Sequence, residues 1–163
     1  MTDENYVHEE TQLDWLYQSF DDLDRRDLYA ALALRQHTFV VEQKLNYQDA
    51  DWEDPYAMHL LGKAEGELVV YGRLFMPHEG EDHVRIGRIV TAPAFRGEGF
   101  GDQLMHKLFD IIEEKVGSCR VVLSSQVSMQ KFYEKYGFQA HGDTYLEAGT
   151  PHVRMVRMLA KAA

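Results

Sequence analysis

One segment limits the fold of this chain more than any other: RIVTAPAFRGEGFGDQLM, residues 88–105. A strand over 84–93 ends at a proline, passes through Arg96-Gly97-Glu98-Gly99-Phe100-Gly101 and enters a helix over 99–117. Strand, glycine-rich loop and helix together make an anion site. Glycine admits φ > 0 and close approach of the backbone, and the unpaired amides and dipole of a helix start favour negative charge. Arg96 adds a positive fork. A tight turn that needs its glycines only for geometry would carry the same letters, but the strand-to-helix junction favours a ligand. GEGFGD does not follow G-x-G-x-x-G, and no Gly-Lys-Ser/Thr follows it, so dinucleotide and ATP sites are disfavoured.

The rest of the chain supplies a sheet around that junction. LDWLYQSF (13–20) alternates weakly as a first strand, and the acidic DDLD (21–24) opens one amphipathic helix running from Arg26 to about Gln43. LNYQDADWEDPY (45–56) is too polar for a core element and reads as a loop, its Asp49, Asp51, Glu53 and Asp54 forming a solvated surface run. Strands over 57–64 and 67–77 flank Glu65-Gly66, the spacing of a tight hairpin. RVVLSSQ (120–126) is a short interior strand. Ser128 is placed as N-cap of a helix carrying Met129, Phe132, Tyr133 and Tyr136 on one face before Gly137 ends it. FQAHGDTYLE (138–147) and PHVRMVRML (151–159) are two closing strands, so the order predicts an α/β mixed sheet with packed helices.

Composition narrows the classes. A length of 163 residues, 45% hydrophobic and 27% charged, suits a single globular domain, with the polar residues 1–11 expected to be frayed. A net charge of −10 disfavours nonspecific nucleic-acid binding. Cys119 is the one cysteine and has no partner; it reads as a small buried residue. No run is long and apolar enough for a membrane span and the acidic start lacks a signal-peptide pattern, so a cytoplasmic protein is expected. The eight histidines show no metal-ligand spacing, so no metal is expected.

Arg96, Gly99 and Gly101 spell R-x-x-G-x-G behind the strand IGRIVTAP, and VLSSQVSMQKFYEKYGF follows. Together these resemble the GNAT acyl-CoA-dependent N-acetyltransferase superfamily, from about residue 13 to the end. More narrowly, FVVEQ (39–43), YQDAD (47–51), HLLG (59–62), IGRI (86–89), RGE (96–98) and PH (151–152) resemble its ElaA-like branch. The resemblance implies a mixed, mostly antiparallel central sheet flanked by helices, and acetyl-CoA as acyl donor. It implies that the CoA pyrophosphate rests on the amides of Arg96, Gly97, Glu98, Gly99, Phe100 and Gly101. The pantetheine arm would follow Ile89, Val90 and Thr91, with Gln126 near the cofactor. It further implies that Tyr133 protonates the CoA sulfur, whereas helix spacing alone favours reading Tyr133 as a packed aromatic. Tyr136 reads as packing.

Acyl transfer from a thioester to an amine needs a neutral amine, support for a developing oxyanion and a proton for the departing thiolate. A backbone N–H beside residues 89–91 would serve the oxyanion. Candidate bases are Glu42, Asp49, Asp51, His59 and His152, or a water chain; Glu42 and His152 join Tyr133 as the expected catalytic groups. Arg88 is expected to pair with one of these acids. A primary amine is the expected acceptor, small molecule or peptide, and the acids at Glu42 and 49–54 favour a cationic one. The rival is a non-catalytic acyl-CoA sensor that keeps Arg96, Gly99 and Gly101 and has no use for Tyr133. The apolar and aromatic last strands suggest a homodimer.

Overall fold

A computed structural model describes residues 11–162; the frayed reading of residues 1–11 falls, up to Glu10, outside them. Strands β1 (Asp14–Ser19), β2 (Met58–Ala64), β3 (Glu67–Phe75) and β4 (His83–Thr91) run antiparallel in chain order. β5 (Cys119–Gln126) joins β4 in parallel, and β8 (Thr150–Leu159) runs antiparallel to β5. The outer edge of β8 is shared by β6 (Gln139–Ala140) and β7 (Tyr145–Glu147), which completes one sheet of eight strands. The expected mixed, mostly antiparallel sheet is therefore present. Its β2–β3 hairpin turns at Glu65 (φ 50°) and Gly66 (φ 79°), the primed geometry that matches strand twist.

Helices cover both faces. α1 (Arg25–Arg35), started by Asp24 Oδ1 accepting from the Arg26 amide at 2.8 Å, lies over a core of Leu23, Ala31, Leu61, Tyr71 and Val90. On the other face α2 (Phe100–Lys115) buries Leu104, Met105, Leu108 and Ile112 against Leu60, Val70, Leu74 and Val121. It stops at Gly117 (φ 88°), as its sequence predicts. No helix among the described residues is long and apolar enough to cross a membrane.

Four local expectations are corrected. The helix from Arg26 ends as an α-helix at Arg35, and Gln36–Glu42 continue in wider π turns, with Leu45 N–H reaching the Val40 carbonyl at 3.1 Å. The apolar residues of this segment, Phe39, Val40 and Val41, are consecutive and so carry no period that would separate the i→i+5 turn from the ordinary one. Ser128 is not an N-cap: it lies inside a tight turn, Val127–Met129, whose Val127 carbonyl takes the Gln130 amide before α3 (Gln130–Glu134) begins. FQAHGDTYLE splits into β6 and β7 because the chain leaves the ladder around Gly142 (φ 85°). Strict alternation along β4 also fails. Tyr71 faces Val90 and Arg73 faces Gly87, so Gly72 opposes both Arg88 and Ile89 in a bulge, with Arg88 at φ 52°.

That bulge lies where the sheet opens. β4 and β5 pair only through His83–Arg85 and Arg120–Val122. Beyond them the strands part, and the main-chain groups of β4 that face β5 have no ladder partner there.

Candidate active site

The parted strands bound a cleft of about 1060 Å³. Its sides are the 96–101 loop with the start of α2, the end of β5 at Ser124–Gln126, α3, the β7–β8 turn, and the end of the π segment with the loop after it. Ile89, Val90, Thr91, Arg96, Gly97, Gly99, Phe100, Gly101 and Gln126 all line it; Glu98 does not. Glu42, Tyr133 and His152 line it too, so the three expected catalytic residues share one cavity.

The glycine loop is shaped by its backbone. Gly97 (φ 80°) and Gly99 (φ 84°) occupy the left-handed region, and Gly99, the N-cap of α2, supplies no side-chain cap. The first-turn amides therefore remain as donors at the positive end of a sixteen-residue helix, which fits a diphosphate. Asp102 in that turn is engaged, its Oδ1 accepting from Tyr136 Oη at 2.6 Å. Phe100 itself is a core residue, 4% exposed.

Arg96 is not a free fork. Its Nη1 donates to Glu42 Oε1 at 2.8 Å, Nη2 to Thr38 Oγ1 at 3.3 Å and Nε to the Thr91 carbonyl at 3.3 Å. Glu42, a base candidate, is accordingly held in an ion pair, and the π turns are what bring it there. Next to it, Gln43 Oε1 accepts from Gln126 Nε2 at 2.8 Å, tying the π segment to the end of β5.

Tyr133 stands edge-on to Phe132 and Phe138, at centroid distances of 5.1 and 6.1 Å. Burial alone pushes its phenol up to about 12. Tyr136 is 8% exposed and packs against Phe109 and Phe132, as expected.

The acidic loop is not a solvated run. Arg35, fully buried on α1, donates from Nε to Asp49 Oδ2 at 2.9 Å and from Nη1 to Asp54 Oδ1 at 2.6 Å. Arg73 on β3 donates to both Asp51 oxygens at 2.9 and 2.6 Å and to Asp54 at 2.8 Å. Arg88 reaches Asp49 Oδ1 at 2.8 Å and Asp51 Oδ2 at 3.2 Å, the ion pair expected of it. At the rim Arg85 takes both Glu53 oxygens at 3.2 Å. Burial pushes the Asp54 carboxyl up, but the Arg35 and Arg73 guanidiniums more than offset it and hold it below its ordinary range. Asp49 and Asp54 are 6% and 5% exposed, and neither lines the cleft. The partners lie 14 to 39 residues away in sequence, so no local pattern marks the network.

His59 is also removed from the base candidates. It is fully buried, accepting at Nδ1 from Tyr71 Oη (2.6 Å) and donating from Nε2 to the Asp54 carbonyl (3.0 Å), and desolvation lowers its pKa. His152, 8% exposed, donates from Nδ1 to the Thr150 carbonyl at 2.7 Å, and its Nε2 lies 3.3 Å from Glu147 Oε2. Glu147 went unmarked in the sequence because it sits within a run read as one strand. The signal available was the turn at Ala148-Gly149, both at φ > 0, followed by His152.

Residues 29–159 match the model of the acetyltransferase (GNAT) domain. A UPF0039 protein of Schizosaccharomyces pombe is 41% identical over 147 residues, 89% of this chain and 97% of that one. An acyl-CoA N-acyltransferase from Pseudomonas aeruginosa has a crystal structure that superposes with a TM-score of 0.82 at 42% identity, covering 90% of this chain and 99% of the other. Escherichia coli ElaA is 36% identical over 92% of this chain and 99% of its own length, and its crystal structure gives a TM-score of 0.82. At the level of fold alone, a GNAT family acetyltransferase from Elizabethkingia anophelis with acetyl-CoA bound has a TM-score of 0.65 at 16% identity, covering 91% of this chain and 99% of that one. The chain belongs to the GNAT acetyltransferase family and has ElaA and UPF0039 proteins among its relatives.

Proposed function

We propose that the chain transfers an acetyl group from acetyl-CoA to a primary amine by direct attack in a ternary complex. The observation that carries this reading is the parting of β4 from β5 after Val122, which opens the sheet between an uncapped, glycine-built helix start and the Tyr133 ring. The amides of Gly97, Gly99, Phe100 and Gly101 supply donors for the diphosphate of CoA. Main-chain groups of Ile89 and Thr91, on either side of Val90 and unclaimed on the β5 side, suit the amides of a pantetheine arm and the charge developing on the thioester oxygen.

In the transfer the amine nitrogen bonds to the acetyl carbon and the C–S bond breaks. The departing sulfur takes the proton of Tyr133 Oη, and the proton that the nitrogen sheds after attack restores the phenol through water. His152 is the base for the first ammonium proton. With Nδ1–H given to the Thr150 carbonyl, the partner that assigns this tautomer, Nε2 of the neutral ring carries the lone pair. Glu42 is left to its pairing with Arg96.

Thiol release against a panel of amines tests the reading. Tyr133→Phe is expected to keep acetyl-CoA binding, read by titration calorimetry, and to lower kcat by roughly 10²–10⁴-fold. A phenol raised to about 12 stays protonated through neutral and mildly alkaline solution, so it acts as a donor there. The parent enzyme should accordingly show no alkaline fall in kcat below about pH 10, the ordinary tyrosine value. Acetyl-CoA binding with no turnover on any amine would instead make the chain an acyl-CoA sensor.

A further inference from the structure

We infer that Glu147 docks the acceptor, and that the acceptor is a primary amine carrying one positive charge on an otherwise uncharged body. This inference rests on the acetyltransferase reading above. Five carboxylates line the cleft: Glu42, Asp51, Glu53, Asp102 and Glu147. The first three are bound by arginines, and Asp102 accepts the Tyr136 hydroxyl at the helix start. Glu147 meets Ser124 Oγ at 3.1 Å and His152 Nε2 at 3.3 Å. Asp102 likewise meets no arginine or lysine, but it is taken by the Tyr136 hydroxyl and lies 3.4 Å from His106 Nδ1, so among the described residues Glu147 is the cleft carboxylate without an arginine or lysine that stands beside the candidate base His152.

Its placement is built rather than loose. Ala148 (φ 50°) and Gly149 (φ 75°) form a two-residue turn that sets Glu147 opposite Thr150 and Tyr145 opposite His152. The Tyr145 ring stacks on the His152 ring at an interplanar angle of 24°, and its hydroxyl bonds Ser124 Oγ on β5. On the other side of β8, His152 pairs with Gln126, the last residue of β5, where the sheet has opened. An ammonium seated on Glu147 is therefore within reach of the Nε2 lone pair. One N–H bond breaks, the ring becomes an imidazolium facing Glu147, and the neutral amine is left to attack.

The opposite wall sets the rest of the specificity. Arg73, Arg85 and Arg88 face the cleft already bonded to acids, so that wall is locally neutral. A second positive charge on the acceptor finds no unpaired carboxylate there, and an acceptor carboxylate must displace Asp51 or Glu53. Phe75, under the Arg85 guanidinium at 3.9 Å, adds apolar surface.

The test compares hexylamine, spermidine and 6-aminohexanoate as acceptors for the full chain with acetyl-CoA. Hexylamine is expected to have the highest kcat/KM. Glu147→Gln should raise its KM about 10- to 100-fold, the loss of a charge-assisted hydrogen bond, with acetyl-CoA KM and the melting temperature unchanged. His152→Gln should lower kcat more than it raises the KM for hexylamine. A Glu147→Gln variant with unaltered amine KM, or a preference for spermidine or 6-aminohexanoate, overturns the inference while acetylation itself stands. If acetyl-CoA binds and none of the amines releases thiol, the acetyltransferase reading fails and this inference falls with it.

Discussion

Two polar loops border the cleft and are built in opposite ways. The 96–101 loop works with its backbone: left-handed glycines turn the chain, side chains stay out of the way, and amides are left over for a ligand. The 45–56 loop works with its side chains. Its aspartates fold inward onto Arg35, Arg73 and Arg88, and its polarity is consumed within the protein. One loop presents donors and the other spends its charges holding a wall in place. The acidic residues that pointed to a cationic acceptor are mostly of the second kind, so net charge near a site says little until each charge has been matched to its neighbours.

The harshest way to break this contrast is Arg35→Ala. It leaves Asp49 and Asp54 buried without their main partner, and a loss of about 3–5 kcal/mol is expected in denaturant unfolding. Acetyl-CoA affinity of the folded fraction should stay unchanged. Gly99→Ala attacks the other loop. A Cβ at φ 84° costs roughly 1–2 kcal/mol of backbone strain, and the same substitution should raise the acetyl-CoA KM because the helix start must shift. Glu42→Gln, which cuts the exposed bond between the two neighbourhoods, should move stability by less than about 1 kcal/mol. By freeing Arg96 it should tighten acetyl-CoA binding, by no more than about fivefold, in calorimetric titration.

What could be read from the letters follows the same division. The glycine loop, the β2–β3 hairpin and the stop at Gly117 each rest on neighbours within a few residues, where conformational preference is local. The arginine network could not be read, because Arg35, Arg73 and Arg88 come from three separate elements and an unpaired aspartate has the same letter as a paired one. The π turns escaped for a different reason: their consequence, Glu42 on Arg96 and Gln43 on Gln126, depends on where two distant strands end. His59 and His152 were indistinguishable as letters, and only burial and hydrogen-bond partners separate a core histidine from one facing the cleft.

The seam between β4 and β5 has one more consequence. Three residue pairs join the strands there, while α2 packs on Leu60 and Val70 to one side and on Val121 and Leu123 to the other. On the reading proposed above, a thioester arm in the gap supplies rungs that the chain does not make for itself. Anything that binds only the folded state raises its stability by mass action. Resistance to unfolding then becomes a gauge of metabolic state, rising and falling with the supply of the acyl donor.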